Sequence, residues 1–184
     1  MTVILFNKPY QVACQFSPHP LRQTLADYID IPGIYPAGRL DADSEGLLLL
    51  TDDGQLQHSI SHPIRKFKKT YIAQVEGAVT AGMLVRLQQP LDLGDFVTQE
   101  CDAKLIATPT WLWEREPPVR KRSAIPTSWL ALTLSEGKNR QIRRMTAAVG
   151  LPTLRLVRIS IGPFSLSSHP LWPGEWVKVS HEKL

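Results

Sequence analysis

A short loop places a carboxylate beside a guanidinium. The segment over residues 35–41, YPAGRLD, carries Arg39 and Asp41, and its proline and glycine predict a loop because both interrupt a strand ladder. A buried strand over 46–51 follows, so the loop is a rigid place to mount a side chain. Asp41 could serve only as a turn former that hydrogen-bonds its own backbone, and the residue pattern leaves that alternative open.

The carboxylates near Asp41 raise a second possibility. Asp41, Asp43 and Glu45 could form the paired acids of a hydrolase. Such pairs bracket a substrate with their carboxyl groups roughly 5–9.5 Å apart. A hydrolase would therefore require Asp43 or Glu45 to face Asp41 across a cleft.

A predicted helix from Asn139 to Val149 carries arginines on one face. Arg140, Arg143 and Arg144 stand at i, i+3 and i+4, and a second face is apolar. The helix macrodipole disfavours cations near a helix N-terminus, so these arginines need a compensating anion. A solvated charged face is the alternative, but the guanidinium fork suits phosphate and carboxylate, which favours anion binding.

Other motifs are weak or missing. His58 and His62 have the i, i+4 spacing of a metal pair, but the ligand set is incomplete and no HExxH is present, so we predict no metal site. Phosphate-loop, dinucleotide and serine-elbow motifs are also missing from the sequence. Tyr71 follows a basic cluster and could be a packed strand aromatic or a platform on which a base stacks.

Charge is unevenly distributed along the 184 residues, whose net charge is +4. Nine bases lie between Arg120 and Arg158 against one acid, Glu136. Five acids and no base lie between Asp41 and Asp53. This segregation indicates a surface that faces a polyanion, with a separate acidic stretch that does not contact phosphate.

The general class is a soluble globular protein. No apolar run approaches the roughly 20 residues of a membrane span, and the first residues lack the order of a signal peptide. Cys14 and Cys101 lie far apart and outside any metal-type pair, which predicts reduced thiols. We expect a cytoplasmic monomer that makes no contact with a membrane.

Periodicity and punctuation residues predict the elements that position these groups. Strands are predicted over 3–6, 46–51, 70–75, 129–134, 155–161 and 175–179, with two more around a turn within 92–107. Helical patterns cover 21–29, 54–60, 81–87 and 139–149, with Thr80 and Asn139 as N-caps and Gly150 as a C-terminal stop. Residues 111–122 are predicted to be an irregular loop. Because strands outnumber helices and often follow one another directly, we predict an α+β fold with a mixed or mainly antiparallel sheet.

Three segments together resemble a known family. GRLDADSEGLLLLTDDG (Gly38–Gly54), KKTYIAQVEG (Lys68–Gly77) and EGKNRQIRRM (Glu136–Met145) resemble, in the right order, motifs of the RsuA-type ribosomal pseudouridine synthases. The resemblance implies the pseudouridine synthase fold, with a bent, mixed, mainly antiparallel central sheet flanked by helices and a central catalytic cleft. It also implies isomerisation of a uridine in RNA without a cofactor. The stretches VILFNKPY, TWLWEREPPVRKR, AIPTSWL and VGLPTLRLVRISIGPFSL extend the similarity and suggest large-subunit (23S) ribosomal RNA as the partner.

The resemblance also assigns roles to residues. Asp41 becomes the catalytic aspartate, Tyr71 packs against the target base, and Arg143 pairs with the aspartate. The chemistry fits, because a carboxylate can attack C1′ of the ribose or stabilise its cationic character while the freed uracil turns. We expect the RNA to be bound by basic and amide side chains in three groups, Arg39 and Lys69, then Lys138, Asn139, Arg140 and Arg144, and finally Arg120, Lys121 and Arg122.

One departure concerns domain organisation. Many relatives carry a small N-terminal RNA-binding domain of the S4 type, whereas here the catalytic pattern begins at Val3. We therefore expect a single catalytic domain over residues 1–184 whose own surface selects the target. The alternative function is a non-catalytic RNA-binding or ribosome-assembly protein on the same fold. It is less favoured because binding alone would not need the aspartate together with its arginine.

Overall fold

The computed structural model describes residues 1–61, 67–120 and 122–180. The chain divides into two compact units. The first unit contains Met1–Phe67 and Val157–Leu184, and the second contains Lys68–Leu156. Each unit carries strands and helices, in agreement with the predicted α+β class.

The first unit is built on two long buried strands. β1 (Val3–Lys8) and β3 (Glu45–Thr51) pair antiparallel along their whole length, from Val3 opposite Thr51 to Lys8 opposite Gly46. All residues of both strands are buried, because both are continuous apolar runs over most of their length. β3 is therefore a fixed base for the loop that precedes it.

The other edge of β3 is shared by two strands. β2 (Tyr35–Ala37) pairs antiparallel with the last three residues of β3, and β7 (Thr153–Ile161) pairs parallel with Glu45 and Gly46 at the start of β3. β9 (Trp176–Val179) pairs antiparallel with β1, and β8 (Phe164–Ser165) pairs with the end of β7. Helix α1 (Gly54–Ser61) follows β3. The sheet of this unit is thus mixed, with the parallel pair at the point where β3 begins.

Two predictions in this unit are wrong. The helical pattern over 21–29 forms only a single 3-10 turn at Leu25–Asp27, where the Asp27 carboxylate accepts from the backbone N–H of Thr24 at 2.7 Å. Pro32 lies close behind, and a residue before proline is disfavoured in a helix. The predicted loop over 35–41 begins with strand β2, because Pro36 lies in an edge strand where a ladder donor is dispensable.

The second unit has a three-strand antiparallel core. β4 (Lys69–Glu76) and β5 (Asp102–Ile106) pair on either side of β6 (Thr127–Leu134), and β7, which starts in this unit, follows β4 in the strand order. Helices α2 (Ala81–Gln88) and α3 (Gln141–Ala148) pack on these strands. Their apolar faces close one core that also includes Leu130 and Leu132.

Helix ends show which local signals were reliable. Thr80 caps α2 as predicted, since its hydroxyl accepts from the backbone N–H of Met83 at 3.3 Å. The predicted Asn139 cap of α3 is wrong: Arg140 occupies the N-cap position with φ 51°, and its side chain makes no capping bond. The Gln141 side chain instead accepts from the N–H of Lys138 at 3.0 Å. Residues 92–107 form one strand, β5, and an isolated bridge rather than two strands.

The remaining expectations concern membranes, thiols and metals. Among residues 1–61, 67–120 and 122–180, no helix has the length and apolar character needed to cross a bilayer. Cys14 and Cys101 are free thiols. The described residues contain no group of three or more side chains suited to hold a metal ion. The predictions for His62 and Lys121 fall outside the described residues.

Candidate active site

Asp41 lies in the loop between β2 and β3, which we call the Asp41 loop and define as residues 38–44. Asp41 is exposed, whereas Leu40, directly before it, is buried and packs in the core of the unit. The Asp41 carbonyl accepts from the N–H of Ser44 at 3.0 Å, so the backbone turns here. The turn places Asp41 on the surface of the unit.

Arg158 holds the start of the Asp41 loop from inside the unit. Its side chain is 1% exposed, and its Nη2 donates to the Gly38 carbonyl at 3.0 Å. Nη1 donates to the Arg39 carbonyl at 3.4 Å, and Nε donates to the Leu47 carbonyl on β3 at 2.8 Å. A buried cation therefore links the loop to the strand that follows it.

Gly46 permits this arrangement. It pairs with Arg158 in the parallel β3–β7 ladder and has φ +106°, a value that favours glycine. A Cβ at this position would lie 2.2 Å from the Arg158 carbonyl oxygen. The close approach of the two backbones thus requires the glycine that follows Glu45.

Lys8 holds the far side of the Asp41 loop. Its ammonium donates to the carbonyls of Pro9 at 2.9 Å, Val12 at 3.0 Å and Ala42 at 3.3 Å. Burial lowers the pKa of Lys8 to about 8, against an opposing effect of Cys14 and of the acids in and after the loop. The N–H of Gln11 also donates to the Ala42 carbonyl, at 2.7 Å.

Asp41 differs from the neighbouring acids in its exposure. Glu45 is 1% exposed inside β3, so it cannot face Asp41 across an open substrate cleft. Asp43 is half-buried within the same loop. Burial therefore excludes Glu45 as the second acid of a paired-carboxylate hydrolase. Of the three acids, Asp41 is the exposed one.

In the second unit, Arg143 and Arg144 lie on α3, whereas Arg140 occupies its N-cap position and not the helical face predicted for it. The apolar side of α3 is buried through Ile142 and Met145, while Arg140 is exposed and Arg143 is half-buried. Arg144 pairs with the Asp95 carboxylate, with Nη1 at 3.2 Å from Oδ2. The anion that compensates this arginine is thus a carboxylate of the protein itself.

The same helix start gathers cations around an aromatic ring. The Lys138 ammonium lies 5.8 Å from the centre of the Phe96 ring, and the Arg144 guanidinium lies 5.1 Å from it. Lys138 and Asn139 are exposed. Their role in RNA binding stays a prediction.

Tyr71 lies on β4 opposite Leu132 and packs, half-buried, against the core of the second unit. Lys69, two residues earlier on the same strand, is almost fully buried opposite Leu134. The strand thus fixes the backbone of Tyr71, as a platform for a base would require.

The basic stretch that ends at Arg158 contains two kinds of residue. Arg120 and Arg122 are exposed, and Arg122 lies 3.8 Å from the Glu76 carboxylate. Arg155 and Arg158 are buried, so for these two the polyanion-facing interpretation is wrong. Arg155 donates to the Trp113 carbonyl at 2.9 Å, and the guanidinium groups of Arg155 and Arg158 both donate to backbone carbonyls.

The sequence reasoning missed Lys8 and Arg158 as residues of the site. A signal was present, because each is a cation within or at the end of a largely apolar strand, VILFNK for Lys8 and TLRLVRISI for Arg158. Such a position places a charge where a side chain is normally buried, and a buried charge needs fixed partners.

Comparison with known proteins supports the same interpretation of the motifs. The family described as RNA pseudouridylate synthase matches residues 2–148. "Ribosomal large subunit pseudouridine synthase E" of Vibrio vulnificus is 52% identical over 97% of this chain and 75% of its own length. The protein of the same name from Xanthomonas campestris is 50% identical over 95% of this chain and 93% of its own.

Solved structures agree with the sequence matches. A crystal structure of pseudouridylate synthase superposes with a TM-score of 0.78 at 29% identity, covering 97% of this chain and 70% of that one. The structure of human RNA Pseudouridylate Synthase Domain Containing 1 shares the fold, with a TM-score of 0.61 at 16% identity over 97% of this chain and 78% of that one. The resemblance seen in the three motifs is thereby confirmed. The chain belongs to the RNA pseudouridylate synthase family.

Proposed function

We propose that this chain isomerises a uridine of large-subunit ribosomal RNA to pseudouridine, with Asp41 as the catalytic aspartate. The observation that carries the proposal is the identity of 50–52% to proteins named ribosomal large subunit pseudouridine synthase E. Asp41 supports it, since this exposed carboxylate stands on a loop whose backbone is held on both sides. The proposal keeps the single catalytic domain, the monomer, the cytoplasmic location and the absence of a cofactor predicted from the sequence.

The reaction breaks the N1–C1′ bond of uridine and joins C5 to C1′. C5 loses its proton and N1 gains one, so there is no net change in atoms. Asp41 can act on C1′ as a nucleophile or as a negative charge beside a cationic sugar. Either role requires the carboxylate to be ionised and held in place while the uracil turns. Anchoring of its loop by Arg158 and Lys8 supplies the second requirement.

Tyr71 and Arg143 complete the proposed site. Tyr71 packs against the target base, which must leave its stack in the RNA before reaction, at a cost of a few kcal/mol. Arg143 is the ion-pair partner that the resemblance implies for Asp41. Arg143→Ala is expected to fold, as judged by circular dichroism, and to lose most of its turnover. Unchanged turnover would remove Arg143 from the reaction.

RNA contact is assigned to the remaining cations and one amide. The candidates are Arg39, Arg120, Lys121, Arg122, Lys138, Asn139, Arg140 and Arg144. Lys69, which the sequence also suggested, is almost fully buried on β4 and is left out. Replacing Arg120 and Arg122 together by Ala should weaken RNA binding and reduce the slope of log K against log salt by about 1–2, since each phosphate contact contributes about one unit. An unchanged slope would exclude them from the RNA surface.

The decisive experiment maps pseudouridine in large-subunit RNA that lacks the modification. Wild-type protein should form pseudouridine at a defined position, and Asp41→Asn should form none. Asp52→Asn is the matched control, because it removes the same charge from an exposed aspartate of the same acidic stretch. No product with wild type, or equal product with Asp41→Asn, would refute the proposal. Retained RNA binding without product in wild type would instead support the non-catalytic alternative.

A further inference from the structure

Arg158 occupies a position that stability alone does not explain. Burial of a charged guanidinium is costly, and an apolar side chain would fill the same space without that cost. The benefit of the arginine lies in its three donors, which reach the carbonyls of Gly38, Arg39 and Leu47. Two of these carbonyls belong to the residues at the start of the Asp41 loop.

The shape of the guanidinium matters for this contact. It is planar and presents its N–H groups in a fixed fork, so three carbonyls bound to it must keep a fixed mutual geometry. The Leu47 carbonyl lies on the buried strand β3, which serves as the reference point. The fork therefore transfers the rigidity of β3 to the backbone that carries Asp41.

We propose that Arg158 is a positioning residue for the isomerisation, setting the place of the Asp41 carboxylate through the backbone of the Asp41 loop. This inference rests on the function proposed above. Arg158 is 1% exposed, so it does not touch RNA and should act on the chemical step rather than on RNA affinity. A displacement of about 1 Å at a reacting group can lower a rate about a hundredfold.

Arg155 offers a matched control on the same strand. It is also an arginine, it is 6% exposed, and its Nη2 donates to a backbone carbonyl, that of Trp113, at 2.9 Å. It lies three residues before Arg158, so the two side chains leave β7 on opposite faces. Replacement of Arg155 thus repeats the change of a buried arginine without touching the Asp41 loop.

The test compares Arg158→Lys with Arg155→Lys, because lysine keeps the charge but lacks the planar fork by which the separate Nε, Nη1 and Nη2 atoms of Arg158 reach the three carbonyls. Arg158→Lys should lower the single-turnover rate at saturating RNA about tenfold to a hundredfold while KM changes less than about threefold. Arg155→Lys should keep the single-turnover rate within about threefold of wild type, even if its melting temperature falls as far as that of Arg158→Lys. Equal rates for Arg158→Lys and wild type, or equal losses in both variants, would overturn the inference.

Hydrogen exchange gives a readout that does not depend on activity. In Arg158→Lys, the amides of residues 38–44 should exchange faster than in wild type, while Arg155→Lys leaves them unchanged. If wild type forms no pseudouridine, the proposed function fails, yet faster exchange in Arg158→Lys would still support the anchoring itself. Unchanged exchange over 38–44 in Arg158→Lys would overturn the inference even if wild type is fully active. Arg158→Met, which has a similar volume but none of the donors, is a second variant for the single-turnover rate and for hydrogen exchange, and the same changes are expected in it.

Discussion

Lys8 gives this fold a dependence on pH that can be calculated. Its side chain is 0% exposed, and burial lowers its pKa from 10.5 to about 8. In the unfolded chain the lysine keeps its ordinary pKa, so between pH 8 and 10.5 the unfolded state binds more protons than the folded state. The free energy of unfolding therefore rises with pH across this window. The full effect of a shift of this size is about 3 kcal/mol, at 1.36 kcal/mol per pKa unit.

The assay is a pair of urea titrations on wild type and Lys8→Met at several pH values. Their difference cancels the titration of groups that Lys8 does not affect. Thiols ordinarily titrate near this range, so both proteins carry Cys14→Ala, which removes the thiol beside Lys8. Between pH 7 and 10.5, the free energy of unfolding of wild type should rise by about 3 kcal/mol relative to that of Lys8→Met.

A difference that stays flat across this range would refute the reasoning. It would mean that the Lys8 ammonium is solvated and that its three carbonyl contacts do not form in solution. A shift in the opposite direction would mean that the acids near Lys8, Asp43 and Glu45, raise its pKa more than burial lowers it. Only the flat result would remove Lys8 from the anchoring of the Asp41 loop.

Three further predictions concern folding. Gly46→Ala should lower the free energy of unfolding by about 2–4 kcal/mol, because the added Cβ would lie 2.2 Å from a backbone oxygen. Gly94→Ala is the control: it lies in open space with φ +95° and should lose only about 1 kcal/mol. Equal losses of the two variants in urea titrations would contradict the close approach at Gly46. Thr80→Ala should cost about 1 kcal/mol by removing the α2 cap, with Thr80→Ser restoring most of it. Met145→Ala should cost about 2–5 kcal/mol by opening a cavity under α3, and a melting temperature unchanged from wild type would place this side chain outside the core.

Local patterns predicted most elements correctly. The apolar run that contains Leu47 and Leu50 became the buried strand β3, and the pattern of Ile142 and Met145 became the buried side of α3. These predictions succeeded because burial of one continuous run or one helix face depends on neighbours close in sequence. The motif around Asp41 likewise pointed to its family before any contact was known.

Some predictions failed because neighbouring residues competed for the same position, and one failed because a more distant segment decided the outcome. The pattern over 21–29 looked helical, but a single turn capped by Asp27 and a following proline limited it. Pro36 argued for a loop, yet pairing with β3 turned the segment into an edge strand. Asn139 has the right chemistry for a cap, but Arg140 took the left-handed position before α3.

The sequence by itself determined the α+β class and the family, and it predicted Asp41 as the catalytic aspartate. Only the tertiary structure decided which cations are buried. Arg158 contacts carbonyls 111 and 120 residues away in the chain, and Lys8 reaches one 34 residues away. A charge count treats these residues like any surface base. Their burial depends on strand pairing between remote segments, and it is this pairing that holds the Asp41 loop in place.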